Sequence, residues 1–313
     1  MRIVFMGSAD FACPSLERLM ATSGLEVVGV VTQPDRPRGR RQQIAACPVA
    51  ELARKRGLVA LAPEKVNTPE DLAALRDLAP DLVVVVAYGQ ILKQPILSLP
   101  SMGCLNLHGS LLPKYRGAAP IQWAIANGET LSGVTVMFMN ERMDAGDIVM
   151  AREVPIAPED TGGMLAATLA RVGADLLVET IRAVSDGHAV RVKQDEAKAT
   201  LAPKLTKQDG RVDWTMPASS ICNRVRAFNP WPGGWVSLTG PRGDLAIRIL
   251  RTRVEPVSMA APGTVAEIGN DGPLIAAGRD GVRLLEVQPE GKRPMSGGDF
   301  LRGHQLQVGT MVG

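Results

Sequence analysis

Asn106 and His108 stand two residues apart in the run Cys104-Leu105-Asn106-Leu107-His108-Gly109. If that run is a strand, side-chain alternation sends both to one face and Leu105 and Leu107 to the other. A carboxamide N–H then lies beside an imidazole. The first suits the oxyanion that develops during acyl transfer, and the second moves a proton near neutral pH. Acyl transfer to an amine uses both. Taken alone, an Asn-x-His pair is more often structural than catalytic, so a carboxylate to orient the imidazole is the next requirement. Met143-Asp144-Ala145-Gly146-Asp147 supplies candidates after the following strand. Asp144 is the expected partner of His108, and Asp147 reads as a turn-capping residue ahead of Ile148. The sequence by itself places neither beside the ring.

Other chemistries find less support. Met6-Gly7-Ser8-Ala9-Asp10-Phe11 carries one glycine where a dinucleotide site needs G-x-G-x-x-G, so Gly7 reads as a simple turn into a helix. His188 and His304 are remote from His108 in sequence and no H-E-x-x-H pairing exists, so no metal centre is expected. Cys13, Cys47, Cys104 and Cys222 form no C-x-x-C pair, and are expected to be buried reduced thiols.

The elements that must position the pair follow from the apolar pattern. Ile3–Met6, Val27–Val31, Leu82–Ala87 and Leu105–Leu107 have strand length and alternate with helix-like segments such as Pro14–Ala21 and Pro48–Arg56. Leu82-Val83-Val84-Val85-Val86 is apolar at consecutive positions, as in a sheet covered on both faces. An α/β domain with a Rossmann-like, mostly parallel sheet is therefore expected over residues 1–190, completed by a strand at Gly133–Met139 and a helix from about Gly162 to Asp186. The C-terminal end of a strand in such a sheet is where ligands bind. A polar linker is expected over 191–209. Beyond it, short strands such as Leu245–Leu250, Gly263–Ile268 and Val282–Val287 predict a smaller C-terminal β-barrel, OB-like, over 210–313.

At 313 residues the chain has the length of two domains, and 45% apolar against 21% charged residues is the composition of a packed protein. The longest apolar run, Leu82–Tyr88, is far short of the roughly 20 residues of a membrane span. The apolar stretch at the N-terminus is too short for a signal peptide, so a cytoplasmic protein without membrane contact is expected. The net charge of +3 is weak evidence for a polyanionic partner. Its distribution says more: Arg36, Arg38, Arg40 and Arg41 crowd a segment in which Pro34, Pro37 and Gly39 prevent a helix. Four guanidinium forks in an exposed loop suit phosphate oxygens, although a merely solvated charge run has the same composition. Residues 210–313 add twelve Lys and Arg against nine Asp and Glu, a mild excess consistent with a nucleic-acid face.

The run from Asn106 through His108-Gly109-Ser110-Leu111-Leu112-Pro113-Lys114-Tyr115-Arg116 to Gly117, with Asp144-Ala145-Gly146-Asp147 downstream, resembles the folate-dependent formyltransferase family. The resemblance implies that Asn106, His108 and Asp144 form a catalytic group and that Ser110, Leu111, Leu112 and Pro113 contact the folate. It implies 10-formyltetrahydrofolate as co-substrate, with no metal. Similarity extends to Arg226-Ala227-Phe228-Asn229-Pro230-Trp231-Pro232 and Ala261-Pro262-Gly263-Thr264, and is greatest to members that formylate initiator methionyl-tRNA for translation initiation. In those members a basic loop follows the second strand, which implies that Arg36, Arg38, Arg40 and Arg41 contact tRNA. A monomer is expected. Members that formylate a nucleotide-linked amino sugar share the Asn-His-Asp group, and the arginine-rich loop argues against them. Members acting on glycinamide ribonucleotide would leave the second domain unexplained.

Overall fold

A computed structural model of the chain describes residues 1–38, 43–240, 243–258, 260–304 and 306–313. Its first half is built on a seven-stranded sheet in the order Ile148–Pro155, Leu131–Phe138, Cys104–His108, Leu82–Val86, Arg2–Gly7, Glu26–Val31, Ala60–Leu61. The five strands from Cys104–His108 to Ala60–Leu61 run parallel, Leu131–Phe138 runs against them, and Ile148–Pro155 pairs antiparallel with Leu131–Phe138. This is the mostly parallel α/β sheet that the apolar runs predict. Every residue of Leu82–Val86 is buried, as required of a central strand with both faces covered. The strand stops before Ala87, whose φ of 46° breaks the extended run one residue earlier than expected.

Helices start where the sequence supplies a local reason. Proline occupies the first turn of Cys13–Met20 and Pro48–Lys55, where the missing N–H costs nothing. A helix at Pro69–Asp77, which the apolar pattern hides, is capped by Thr68 through the Asp71 N–H. The longest helix, Gly162–Ser185, brings Gly173 against the Cys104–His108 strand: a Cβ there would stand 2.8 Å from Leu107 Cδ2. That close approach seats Leu107 and Leu105 under the helix and leaves Asn106 and His108 on the opposite face.

Two compact units emerge, and each is made of several chain segments. The first comprises 1–120, 131–155 and 166–202; the second comprises 121–130, 156–165 and 203–313. The stretch read as a linker is, up to residue 202, part of the first unit. The second unit carries a six-stranded, wholly antiparallel sheet in the order Gly234–Gly240, Gly243–Glu255, Gly281–Pro289, Gly272–Ala276, Val265–Gly269, with Met295–Ser296 paired to Gly281–Pro289. Ile221 and Val225 of the helix Ala218–Ala227 join Val236, Ile249, Val282 and Val287 in its core. The expected strand at Gly263 begins at Val265, because Gly263 turns the chain with φ of 87°. No helix among the described residues is long and apolar enough to cross a membrane. All four cysteines are free; Cys104 is buried, whereas Cys13, Cys47 and Cys222 are half-buried, which corrects the expectation of four buried thiols.

Candidate active site

Asn106 pairs across the sheet with Val85 and Met137, and His108 with Thr135. Both side chains leave the face opposite Leu107. His108 is 7% exposed, and its Nε2 lies 2.9 Å from the Tyr115 carbonyl oxygen. A carbonyl only accepts, so this contact puts a proton on Nε2. The other ring nitrogen, Nδ1, faces Asp144 Oδ2 at 3.7 Å, within ion-pair range and beyond hydrogen-bond length. Both N–H groups of a protonated ring would thus have an oxygen to face. Asn106 is half-buried, and among the described residues nothing hydrogen-bonds its carboxamide. An amide donor without a protein partner therefore stands two residues from an oriented imidazole.

Asp144 reaches this face because residues 139–147 fold back over it. Gly146 permits the return: a Cβ there would lie 1.7 Å from the Phe138 carbonyl oxygen. Asp144 itself has φ of 51°, a left-handed conformation unusual for a side chain other than glycine. Its Oδ2 accepts a 2.8 Å bond from the Gly117 N–H, and its own carbonyl accepts one from Gln194 Nε2 at 2.8 Å. The Asp147 carbonyl accepts from the Phe138 N–H, a cross-strand backbone bond at the start of the Ile148–Pro155 strand.

The Ser110–Pro113 segment is held from within. Ser110 is buried and its hydroxyl donates to Lys114 O at 2.6 Å, while the buried Thr135 hydroxyl donates to Ser110 O and accepts from the Leu112 N–H. Leu111 packs over Gly133, where a Cβ would come within 2.5 Å of it. Leu112 is buried, and the Pro113 carbonyl accepts from the Thr200 N–H. These residues fix the shape of the loop bordering His108.

The arginine segment lies apart from these residues in the sequence and forms an element of its own. Arg36–Arg38 pairs antiparallel with Gln43–Ala45, so the expected loop is a hairpin. Arg36 is exposed and forms an ion pair with Glu64 at 3.3 Å. Arg38 lies on the first strand, and Arg40 and Arg41 lie outside the described residues.

Sequence reasoning missed a second tier of residues. Tyr115, with φ of 62°, aims its carbonyl at His108. Thr200 accepts from the Tyr115 N–H, and Leu201–Ala202 pairs with Arg116–Gly117. Arg116, 6% exposed, donates to Gln194 and Glu196, and Arg142 donates to Glu196 as well. Those bonds, Arg116 first, hold the Glu196 carboxyl below its ordinary value. Tyr115, Arg116 and Gly117 sit inside the Asn-to-Gly run quoted above, so position alone could have flagged them; Gln194 and Glu196 lie in an unpatterned polar stretch that gives no signal.

Comparison with known proteins places this arrangement. Residues 1–181 match the family described as formyl transferase, and residues 204–305 match its C-terminal domain. The chain belongs to the formyl transferase family and is an enzyme of one-carbon group transfer. Over 313 residues it is 43% identical to the methionyl-tRNA formyltransferase of Geobacter sulfurreducens, covering all of this chain and 97% of that protein. It is 44% identical over 314 residues to the methionyl-tRNA formyltransferase of Moorella thermoacetica, covering 100% and 99%. A sugar 3N-formyl transferase solved in the presence of dTDP and 5-N-formyl-THF shares the fold, with a TM-score of 0.66 and 17% identity over 94% of this chain and 99% of that one.

Proposed function

We propose that the chain transfers the formyl group of 10-formyltetrahydrofolate to the amino group of initiator methionyl-tRNA, giving N-formylmethionyl-tRNA for translation initiation. Full-length similarity to methionyl-tRNA formyltransferases supports the acceptor, and the observation that carries the chemistry is the Asn106 carboxamide without a protein partner beside His108. Met143, exposed next to Asp144, offers an apolar surface suited to a flat heteroaromatic ring.

The amine of the methionyl ester, with an α-amine pKa of about 8, is largely neutral under mildly basic conditions and attacks the formyl carbon. A C–N bond forms, the bond from that carbon to N10 of the folate breaks, the amine gives up one proton and N10 takes up one. Asn106 donates to the oxygen that becomes negative. His108 passes the proton through Nδ1, since Nε2 is held by Tyr115, and Asp144 keeps the ring oriented. Ser110, Leu111, Leu112 and Pro113 shape the folate side of the site. Arg36, Arg38, Arg40 and Arg41 meet phosphates of the tRNA. In this reading the unit built from residues 1–120, 131–155 and 166–202 carries the chemistry, and residues 210–313 hold tRNA. A single chain acts as a monomer in the cytoplasm, where charged tRNA is available.

The test is kinetic. Asn106→Ala, His108→Ala and Asp144→Ala, each checked for native circular dichroism, should lower kcat by roughly 10²-fold or more. Turnover near wild type in folded His108→Ala would overturn the assignment.

A further inference from the structure

The segment 191–202 is fastened to both loops of the site. Val192 exchanges two 2.8 Å backbone hydrogen bonds with Ile148, Thr200 holds Tyr115 and Arg116, and Leu201–Ala202 pairs with Arg116–Gly117. Gln194 sits between these anchors with every polar atom of its carboxamide engaged. Oε1 accepts from Arg116 Nε at 3.0 Å and from Arg116 Nη2 at 2.8 Å. A guanidinium can only donate, so that end of the amide is the oxygen and the other is the NH₂. Nε2 accordingly donates to two carbonyl oxygens, Asp144 O and Gly146 O, both at 2.8 Å. Arg116 is in turn locked by a two-pronged pair with Glu196 at 3.0 and 3.2 Å.

We propose that Gln194 is a positioning residue for the formyl transfer: its carboxamide holds the left-handed Asp144 backbone from behind and so aims the Asp144 carboxylate at His108. The claim rests on the catalytic assignment of Asp144 and His108 above. Asp144 occupies a left-handed conformation, with φ of 51°, and Gln194 bonds the carbonyls on both sides of the residue that follows it. The Gly117 N–H fixes the carboxylate oxygen from the other side. Without Gln194 the two carbonyls lose their donor and the loop is free to relax toward ordinary dihedral angles, which withdraws Oδ2 from the ring. Arg116 sets the sense of the amide, and a carboxylate at position 194 would press an oxygen against both carbonyls.

The experiment is a double-mutant cycle of Gln194→Met with Asp144→Ala, read as kcat and as KM for both substrates in the full-length protein. Methionine keeps the volume and removes the donors. Gln194→Met alone should lower kcat by roughly 10- to 100-fold through misplacement of about 1 Å, with both KM values within about 3-fold of wild type. In the Asp144→Ala background the same substitution should cost less than about 3-fold, because the group it positions is gone. The kcat–pH profile of Gln194→Met should resemble that of Asp144→Ala more than that of wild type. Equal fold-losses in both backgrounds, or a fall in melting temperature with kcat retained, would reduce Gln194 to a structural role and overturn the proposal. If Asp144→Ala alone leaves kcat unchanged, the catalytic reading fails first and the proposal with it. Should Gln194→Met not fold, the isosteric Gln194→Glu takes its place in the same cycle, with the same outcomes decisive.

Discussion

Cys104 and His108 end the same strand, and their surroundings give them opposite chemical characters. Cys104 is 2% exposed, and burial pushes its thiol up to about 12. It is therefore unreactive despite lying two residues from Asn106. Iodoacetamide at pH 8 should leave Cys104 unmodified in the folded protein and modify it on unfolding in denaturant; labelling of the native protein at the rate of a free thiol would contradict this. The same-face relation of Asn106 and His108 was legible because a strand has period two. The bond from His108 Nε2 to Tyr115 was not, since it depends on a φ of 62° at a tyrosine, a conformation that glycine advertises in a sequence and tyrosine does not.

Elements were legible in proportion to their apolar pattern. Leu82–Val86 and Gly162–Ser185 announce themselves, whereas Pro69–Asp77 does so only through its Thr68 cap and the 139–147 return only through Gly146. The 191–202 segment is mostly polar and reads as part of a linker, because its structure comes from hydrogen bonds to loops distant in the chain. Composition located the basic hairpin but not its pairing. Arg36 already faces Glu64 in an exposed ion pair, and such pairs contribute only about 0–1 kcal/mol, so exchange for a phosphate is open to it. Replacing Arg36, Arg38, Arg40 and Arg41 together by alanine should flatten the dependence of log affinity for tRNA on log salt by about three units, if each contacts a phosphate. Folate affinity should be unchanged. A salt slope equal to wild type would return the arginines to the status of a solvated surface.

The two units of the molecule do not follow the chain in two blocks. Residues 121–130 and 156–165 belong with the C-terminal unit: Trp123 packs edge-on to Phe228 with ring centroids 5.8 Å apart and donates its indole N–H to Pro203 O, while the Gly163 N–H donates to Asn229 O. A fragment ending at Lys207 should therefore leave Ile121, Ile125, Ile156 and Leu165 without their core, bind a hydrophobic dye and melt lower than the full chain; a monodisperse fragment that binds no dye and melts with the full chain would contradict this division. The sequence pattern conveyed that a β domain follows an α/β domain and could not convey that the second recruits segments from within the first.

A side-by-side comparison of two acceptors decides which one the enzyme uses. Purified protein is given 10-formyltetrahydrofolate with labelled formyl carbon and, in parallel, initiator methionyl-tRNA or a nucleotide-linked amino sugar. Label is expected in N-formylmethionyl-tRNA at a rate proportional to enzyme, at least roughly 10²-fold slower with His108→Ala, and no transfer to the sugar. Faster formylation of the amino sugar, or no formylation of the tRNA by active-folded protein, would contradict that.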